Sequence, residues 1–153
     1  MAKSVTFCSS QRFKTQLDFF IHSIDILASR KGFKLVVFDP EFRNRPDNFH
    51  LLSEKDRMNN EVYRSEVAGR VYDHLFRKVR VTDVTFIFNK DGYLGANTIG
   101  ELFAAAAWGK IIYALEDKTL MGQYPDGLYL EPSARKLIHE VVATPCELLK
   151  RLL

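Results

Sequence analysis

Apolar positions along this chain fall into two spacings: short unbroken runs, and longer stretches with a helical period. Residues 4–8 form an apolar run ending in polar residues, which predicts a buried strand that opens into a loop at Ser9 and Ser10. From 13 to 29, Phe13, Leu17, Phe20, Ile21, Ile24, Ile26, Leu27 and Ala28 keep helical spacing, and Gly32 is placed to end that helix. Residues 33–38 read as a second strand. The charged stretch 39–60, with Pro40 and Pro46, reads as a loop over the sheet edge rather than a linker between domains. Helical spacing returns over 62–79 through Val62, Val67, Val71, Leu75, Phe76 and Val79, with basic residues near its end that suit the helix dipole.

Residues 81–88 predict a third strand, 97–108 a compact helix centred on Ala104 to Ala107 and ended by Gly109, and 110–115 a fourth strand. The segment 116–132 offers a turn at Pro125-Asp126-Gly127 and a short strand over 128–130, and 133–153 reads mostly as a final helix that Pro145 kinks or restarts. Strands alternating with helices predict one α/β domain over 1–153, a flavodoxin-like, Rossmann-like three-layer sandwich with a parallel sheet of about five strands and the first strand central. Ligands of such sheets sit beyond the carboxyl ends of the strands, which selects the loops after Cys8, Phe38, Phe88 and Leu115, the first and third of them adjacent.

Composition narrows the function. With 46% hydrophobic and 27% charged residues the chain is globular rather than disordered. Its 22 basic and 19 acidic residues are mixed along the sequence, so no basic run announces a nucleic acid polymer, although a local anion site remains open. Cys8 and Cys146 are too few for a disulfide framework and are not spaced as metal ligands, which fits a reducing compartment. The opening residues lack the apolar stretch of a signal peptide and no run approaches the ~20 apolar residues of a membrane span, so a cytoplasmic protein without membrane contact is predicted. His22, His50, His74 and His139 are scattered without ligand spacing, so neither a metal nor another cofactor is implied. Cys8, with no histidine partner identifiable along the chain, reads as a buried small residue. The glycine-rich dinucleotide fingerprint is absent, which disfavours a nicotinamide site.

The segment 88–101 is the most informative, because a strand there runs through a glycine-containing loop into the first turn of a helix, whose amides can hold an anion. Thr98 and Glu101 have the spacing of a capping box, in which Glu101 serves the helix's own amides. A carboxylate near a helix N-terminus also stays ionised, as a nucleophile must. Gly100 takes an early helical position where alanine is roughly 1 kcal/mol better, which suggests a close neighbour. Asn97 and Thr98 belong to the same turn and are candidate substrate ligands. Ser9, Ser10, Gln11 and Arg12 follow the first strand and suit either a phosphate or sugar cradle or a plain serine cap. Tyr93 and Phe13 suit base stacking or core packing, and Asp39 ends the second strand at the ligand edge while also being an ordinary turn opener. Asp83 begins its strand, on the opposite edge, and reads as structural.

These residues resemble the nucleoside 2-deoxyribosyltransferase family and its relatives that hydrolyse 2'-deoxynucleoside 5'-monophosphates. The likeness runs from Thr82-Asp83-Val84 through Glu101-Leu102-Phe103-Ala104-Ala105 to Trp108-Gly109-Lys110, with Phe7-Cys8-Ser9-Ser10-Gln11-Arg12 similar to the family's opening strand and substrate loop. The resemblance implies an enzyme that cleaves or exchanges the N-glycosidic bond of a (deoxy)nucleoside or its 5'-monophosphate. Glu101 would then be the nucleophile, forming a glycosyl ester resolved by water or by a second base, with no cofactor. It also implies a homo-oligomer. The family's aspartate six residues before the glutamate is Gly95 here, which leaves Asp91 as the catalytic proton-handling candidate, and the aspartate on the preceding helix has Asp73 as its nearest counterpart, two residues out of register. Gly95 also motivates the alternative reading, a non-catalytic nucleotide-binding or interaction module on the same fold.

Overall fold

The computed structural model describes residues 3–41 and 51–153; the stretch 42–50, with Pro46 and His50, lies outside the described residues. Strand β1 (Lys3–Cys8) leads through a 3-10 turn (Gln11–Phe13) to α1 (Lys14–Arg30), which Gly32 ends at φ +64°, and then to β2 (Leu35–Phe38). Next come α2 (Glu54–Met58) and α3 (Glu61–Asp73), the latter continuing as a π-helical segment (His74–Val79). β3 (Val84–Ile87) and α4 (Ala96–Ala107) are followed by β4 (Ile111–Ala114) and the strands β5 (Leu120–Gly122) and β6 (Leu128–Leu130). The described chain closes with α5 (Pro132–Leu137), β7 (Glu140–Val141) and α6 (Pro145–Leu152).

Five strands pair in parallel in the order β2-β1-β3-β4-β7, the predicted flavodoxin-like sheet. β1 is interior, as expected, but β3 holds the middle position. Chain direction across the sheet reverses between β1 and β3, and their ends are tied by the Phe88 amide donating to the Cys8 carbonyl at 2.8 Å. The loops after β1 and β3 are therefore neighbours at the ligand edge.

Alternation along the strands sorts side chains into two cores. Val5 and Phe7 of β1, Val84 and Phe86 of β3, and Tyr113 of β4 face α1 and α6, where they meet Phe20, Ile24, Leu148 and Leu152. Cys8, Ile87, Ile112 and Ala114 face the other way, against Val79, Leu102, Ala105 and Ala134. Because both faces are covered, the polar positions within these strands, Thr6 and Thr85, are buried as fully as their apolar neighbours. At the far edge the Asp83 carboxylate accepts from the Ser4 amide (3.0 Å) and hydroxyl (2.8 Å), which holds its pKa below the usual carboxylate value and pins β3 to β1.

Three expectations are corrected. The stretch read as loop contains α2, started by Ser53, whose hydroxyl accepts from the Asp56 amide. The strand at Leu128–Leu130 belongs to an antiparallel hairpin with β5, not to the main sheet. The final helix is two helices with the fifth sheet strand, β7, between them, and Pro145 sits at the start of α6 rather than kinking a longer helix. Thr144 and Glu147 form a capping box there, so Thr144→Ala should lower stability by about 1 kcal/mol in urea denaturation; an unchanged midpoint would mean that the box contributes nothing.

Candidate functional site

Three elements converge at the ligand edge. Cys8 is the last residue of β1, His74 opens the π-helical segment, and Glu101 lies in the second turn of α4. All three are buried, with Glu101 7% exposed. Cys8 Sγ lies 3.5 Å from His74 Nε2, and His74 Nε2 lies 3.8 Å from Glu101 Oε2. The π turn matters here because the Arg80 amide reaches back to the Leu75 carbonyl at 3.0 Å, a five-residue step that resets the helix face on which His74 and Lys78 sit.

Burial sets the electrostatics. It raises the Glu101 carboxyl from 4.5 to about 7, partly offset by the Cys8 thiol donating to it. It lowers His74 from 6.5 to about 4, helped by the nearby Lys78 ammonium and opposed by the Phe7 carbonyl and Asp73. Cys8 is raised well above the usual thiol value by burial and then by Glu101. The cluster at neutral pH is a thiol, a neutral imidazole and a carboxyl near its midpoint. Among the described residues His74 Nδ1 has no hydrogen-bond partner. Among the described residues no lysine or arginine pairs with Glu101; Lys78 instead donates to the Asp39 carbonyl (2.9 Å) and lies 3.4 Å from Glu41 Oε1.

The capping box expected of Thr98 and Glu101 does not form. Gly95 is the N-cap of α4, so Thr98 falls in the buried first turn and Glu101 faces the sheet. Glu101 is consequently not held ionised by the helix N-terminus, as the sequence suggested; burial pushes the other way. Gly100 is exposed, and a Cβ there would meet nothing within 4 Å, so the expected close neighbour is not found among the described residues. Constraint falls instead on Gly92, in the loop before α4 and at φ +77°, where a Cβ would lie 2.8 Å from Lys118 Cβ.

A second cluster forms on the same edge. Arg12 stacks its guanidinium 4.8 Å from the Tyr93 ring centre and 4.4 Å from that of Tyr124, while Nε donates to Ser10 Oγ at 3.3 Å. Phe13 packs edge-on to both tyrosines. The Tyr124 hydroxyl donates to Asp91 Oδ2 at 3.1 Å, and the Asp91 amide donates to Glu116 Oε1 at 3.0 Å. Asp91 itself adopts φ +57°. Tyr124 arrives on the β5–β6 hairpin, which is clamped to the loop after β3 by the Leu94 amide donating to the Leu120 carbonyl at 2.8 Å.

Of the sequence-predicted residues, Ser10, Arg12, Tyr93 and Asp91 thus come together, with Ser9 beside them in the chain and its hydroxyl bonded to the Ser10 carbonyl. Glu101 belongs to the other cluster, and Asp91 contacts Lys90, Glu116 and Tyr124 rather than sharing Glu101's partners. Asn97 is exposed on the first turn of α4. Asp39 contributes a backbone carbonyl to Lys78, with its side chain exposed. Sequence reasoning missed His74, Lys78 and Tyr124, and it took Cys8 to lack a histidine partner that the fold supplies across 66 residues. Among the described residues, Cys8, His74 and Glu101 offer donor atoms that could hold a cation, all within 4.8 Å of one another.

No protein-family model and no curated protein matches this chain. Among solved structures, a conserved protein from Enterococcus faecalis V583 is similar over 99% of this chain and 98% of that chain, at 16% identity and a TM-score of 0.55. A 2-deoxyribosyltransferase from Bacillus psychrosaccharolyticus aligns over 95% of this chain and 89% of that chain, at 17% identity and a TM-score of 0.48. The chain shares the α/β fold of the Enterococcus faecalis protein. No helix among the described residues is long and apolar enough to cross a membrane.

Proposed function

We propose that this protein cleaves or exchanges the N-glycosidic bond of a (deoxy)nucleoside or its 5'-monophosphate, with Glu101 as nucleophile. The observation that carries the reading is a buried carboxyl at the ligand edge of a parallel sheet, without a cationic partner among the described residues. Such a group costs stability, and carboxyls buried in this way cluster at functional sites. Its position on the helix after β3 agrees with the sequence resemblance.

In this reading Glu101 attacks the anomeric carbon as the bond to the base breaks, giving a glycosyl ester that water or a second base then opens. The Cys8 thiol and neutral His74 orient the carboxylate without neutralising it, since neither carries positive charge at pH 7. Asp91, engaged by the Tyr124 hydroxyl, is the proposed proton-handling group at the departing base. Ser9, Ser10 and Arg12 form the sugar-phosphate cradle, with Tyr93, Asn97 and Thr98 completing the substrate wall and Asp39 at its margin.

The test is release of free base from purine and pyrimidine deoxynucleosides and their monophosphates. No release from any of them would leave the nucleotide-binding module as the reading. Because the two tyrosine rings fix the Arg12 guanidinium, monophosphates should bind more tightly than nucleosides, and Arg12→Ala should narrow the difference. Equal affinity of the unmodified protein for both ligand classes would remove phosphate recognition while leaving the glycosidic chemistry standing.

A further inference from the structure

We propose that Cys8, His74 and Glu101 bind one divalent cation of the zinc class, through Sγ, Nε2 and Oε2, with water completing the coordination. The three residues come from β1, the π-helical segment and α4, so the fold and not a local motif assembles them. Zinc bonds to sulfur of about 2.3 Å and to nitrogen or oxygen of about 2.0–2.2 Å put tetrahedral donors roughly 3.3–3.6 Å apart. The observed Sγ to Nε2 separation of 3.5 Å already meets that requirement, the 3.8 Å between Nε2 and Oε2 needs a small closure, and all three donor atoms lie within 4.8 Å of one another, so metal binding draws the carboxylate in towards the thiol.

Ligand chemistry selects the metal class. One sulfur, one imidazole nitrogen and one carboxylate oxygen suit zinc or cobalt and disfavour magnesium and calcium, which take oxygen donors. The three donors come from buried side chains, and the dication would supply Glu101 with the positive partner it lacks among the described residues. Three protein ligands leave a fourth position for water, the arrangement of an open rather than a closed zinc site. Binding replaces the thiol proton, and any proton on the Glu101 carboxyl, by the metal; imidazole contributes its lone pair, the released protons pass to solvent, and no electron moves.

One consequence rests on the function proposed above. Metal bound to Oε2 draws electron density from the carboxylate and weakens Glu101 as a nucleophile, so zinc should inhibit the glycosidic reaction. The metal site itself stands independently of that reaction.

The experiment is titration of chelator-stripped protein with Co(II), followed by displacement with Zn(II). The expected result is one equivalent bound, with visible bands of four-coordinate cobalt and a sulfur-to-cobalt charge-transfer band in the near ultraviolet. Cys146 is exposed and offers the competing thiol, so Cys146→Ser should keep the charge-transfer band and Cys8→Ser should lose it. Outer-shell partners of a metal are worth about 10–100-fold in affinity, so His74→Gln and Glu101→Gln should each weaken binding by at least ~10-fold. Circular dichroism establishes that each variant is folded, and should Cys8→Ser not fold, saturation at one equivalent in the Cys146→Ser protein together with the Glu101→Gln loss decides. Absence of saturable uptake by the unmodified protein, or a band that follows Cys146 rather than Cys8, overturns the proposal. Base release by the metal-free protein without zinc uptake overturns it too and leaves the function intact, whereas uptake without base release from any substrate does the reverse.

Discussion

Glu101→Gln should yield a folded protein whose base release falls by at least ~10³-fold, the order of loss when an enzyme is deprived of its nucleophile. Glutamine matches glutamate in volume, so the packing of α4 against β1 and the π-helical segment is kept, and its amide oxygen can still accept from the Cys8 thiol. It cannot form an ester with the sugar. Mass spectrometry of the unmodified protein quenched during turnover should find the mass of one sugar added, on the peptide containing Glu101, and no such adduct in the variant. Full activity in the glutamine variant would end the nucleophile assignment. Glu101→Ala is the poorer test, because removing a buried side chain leaves a cavity that destabilises the site for reasons unrelated to chemistry.

That the sheet was legible in the sequence, and the site only in part, has a physical basis. β1, β3 and β4 are buried on both faces because helices cover both, which keeps them rich in apolar residues, and the spacing of Leu17, Phe20 and Ile24 follows from α1 lying along one of those faces. Local pattern reports local burial. β7 escaped because it is two residues long, carries Glu140 and lies between two helices, so neither period has room to show. Glu101 was located but its surroundings were misread, and the reason is a shift in the helix start. With Thr98 as cap, Glu101 would turn back to the first amides; with Gly95 as cap, it lies in the second turn and faces the sheet. The alanine-rich stretch that follows satisfies the helical period from either start. His74 carried no signal at all, since its partners lie on β1 and α4 and its orientation depends on a π turn that side-chain spacing does not announce. Tyr124 likewise reaches Asp91 and Arg12 only through the hairpin that sequence reasoning left unpaired.

The neighbouring pair at the site also predicts an unusual dependence of stability on pH, measured by urea denaturation with chelator present so that the groups titrate freely. Glu101 goes from 4.5 unfolded to about 7 folded, so the folded state binds the proton more tightly. Its contribution is fully present below about pH 4.5 and is lost as pH rises through 7, on the order of ~3 kcal/mol. His74 goes from 6.5 unfolded to about 4 folded, so the folded state holds the neutral ring; this contribution is present above about pH 6.5 and is lost as pH falls through 4, again ~3 kcal/mol. Cys8 and Lys78 face the pair, and burial raises the Cys8 thiol well above that window, so the thiol keeps its proton throughout. Between pH 4.5 and 6.5 the two slopes therefore oppose and largely cancel. Glu101→Gln removes one of them, so relative to the unmodified protein its stability should climb from pH 4.5 to 7 and end up to ~3 kcal/mol higher above pH 7. His74→Gln removes the other, so its stability relative to the unmodified protein should fall from pH 4 to 6.5. Taking differences cancels the carboxylates and histidines common to all three proteins. If the three profiles run parallel, the carboxyl and the ring titrate as exposed groups do, and the buried cluster on which both the nucleophile and the cation site depend is not formed in solution.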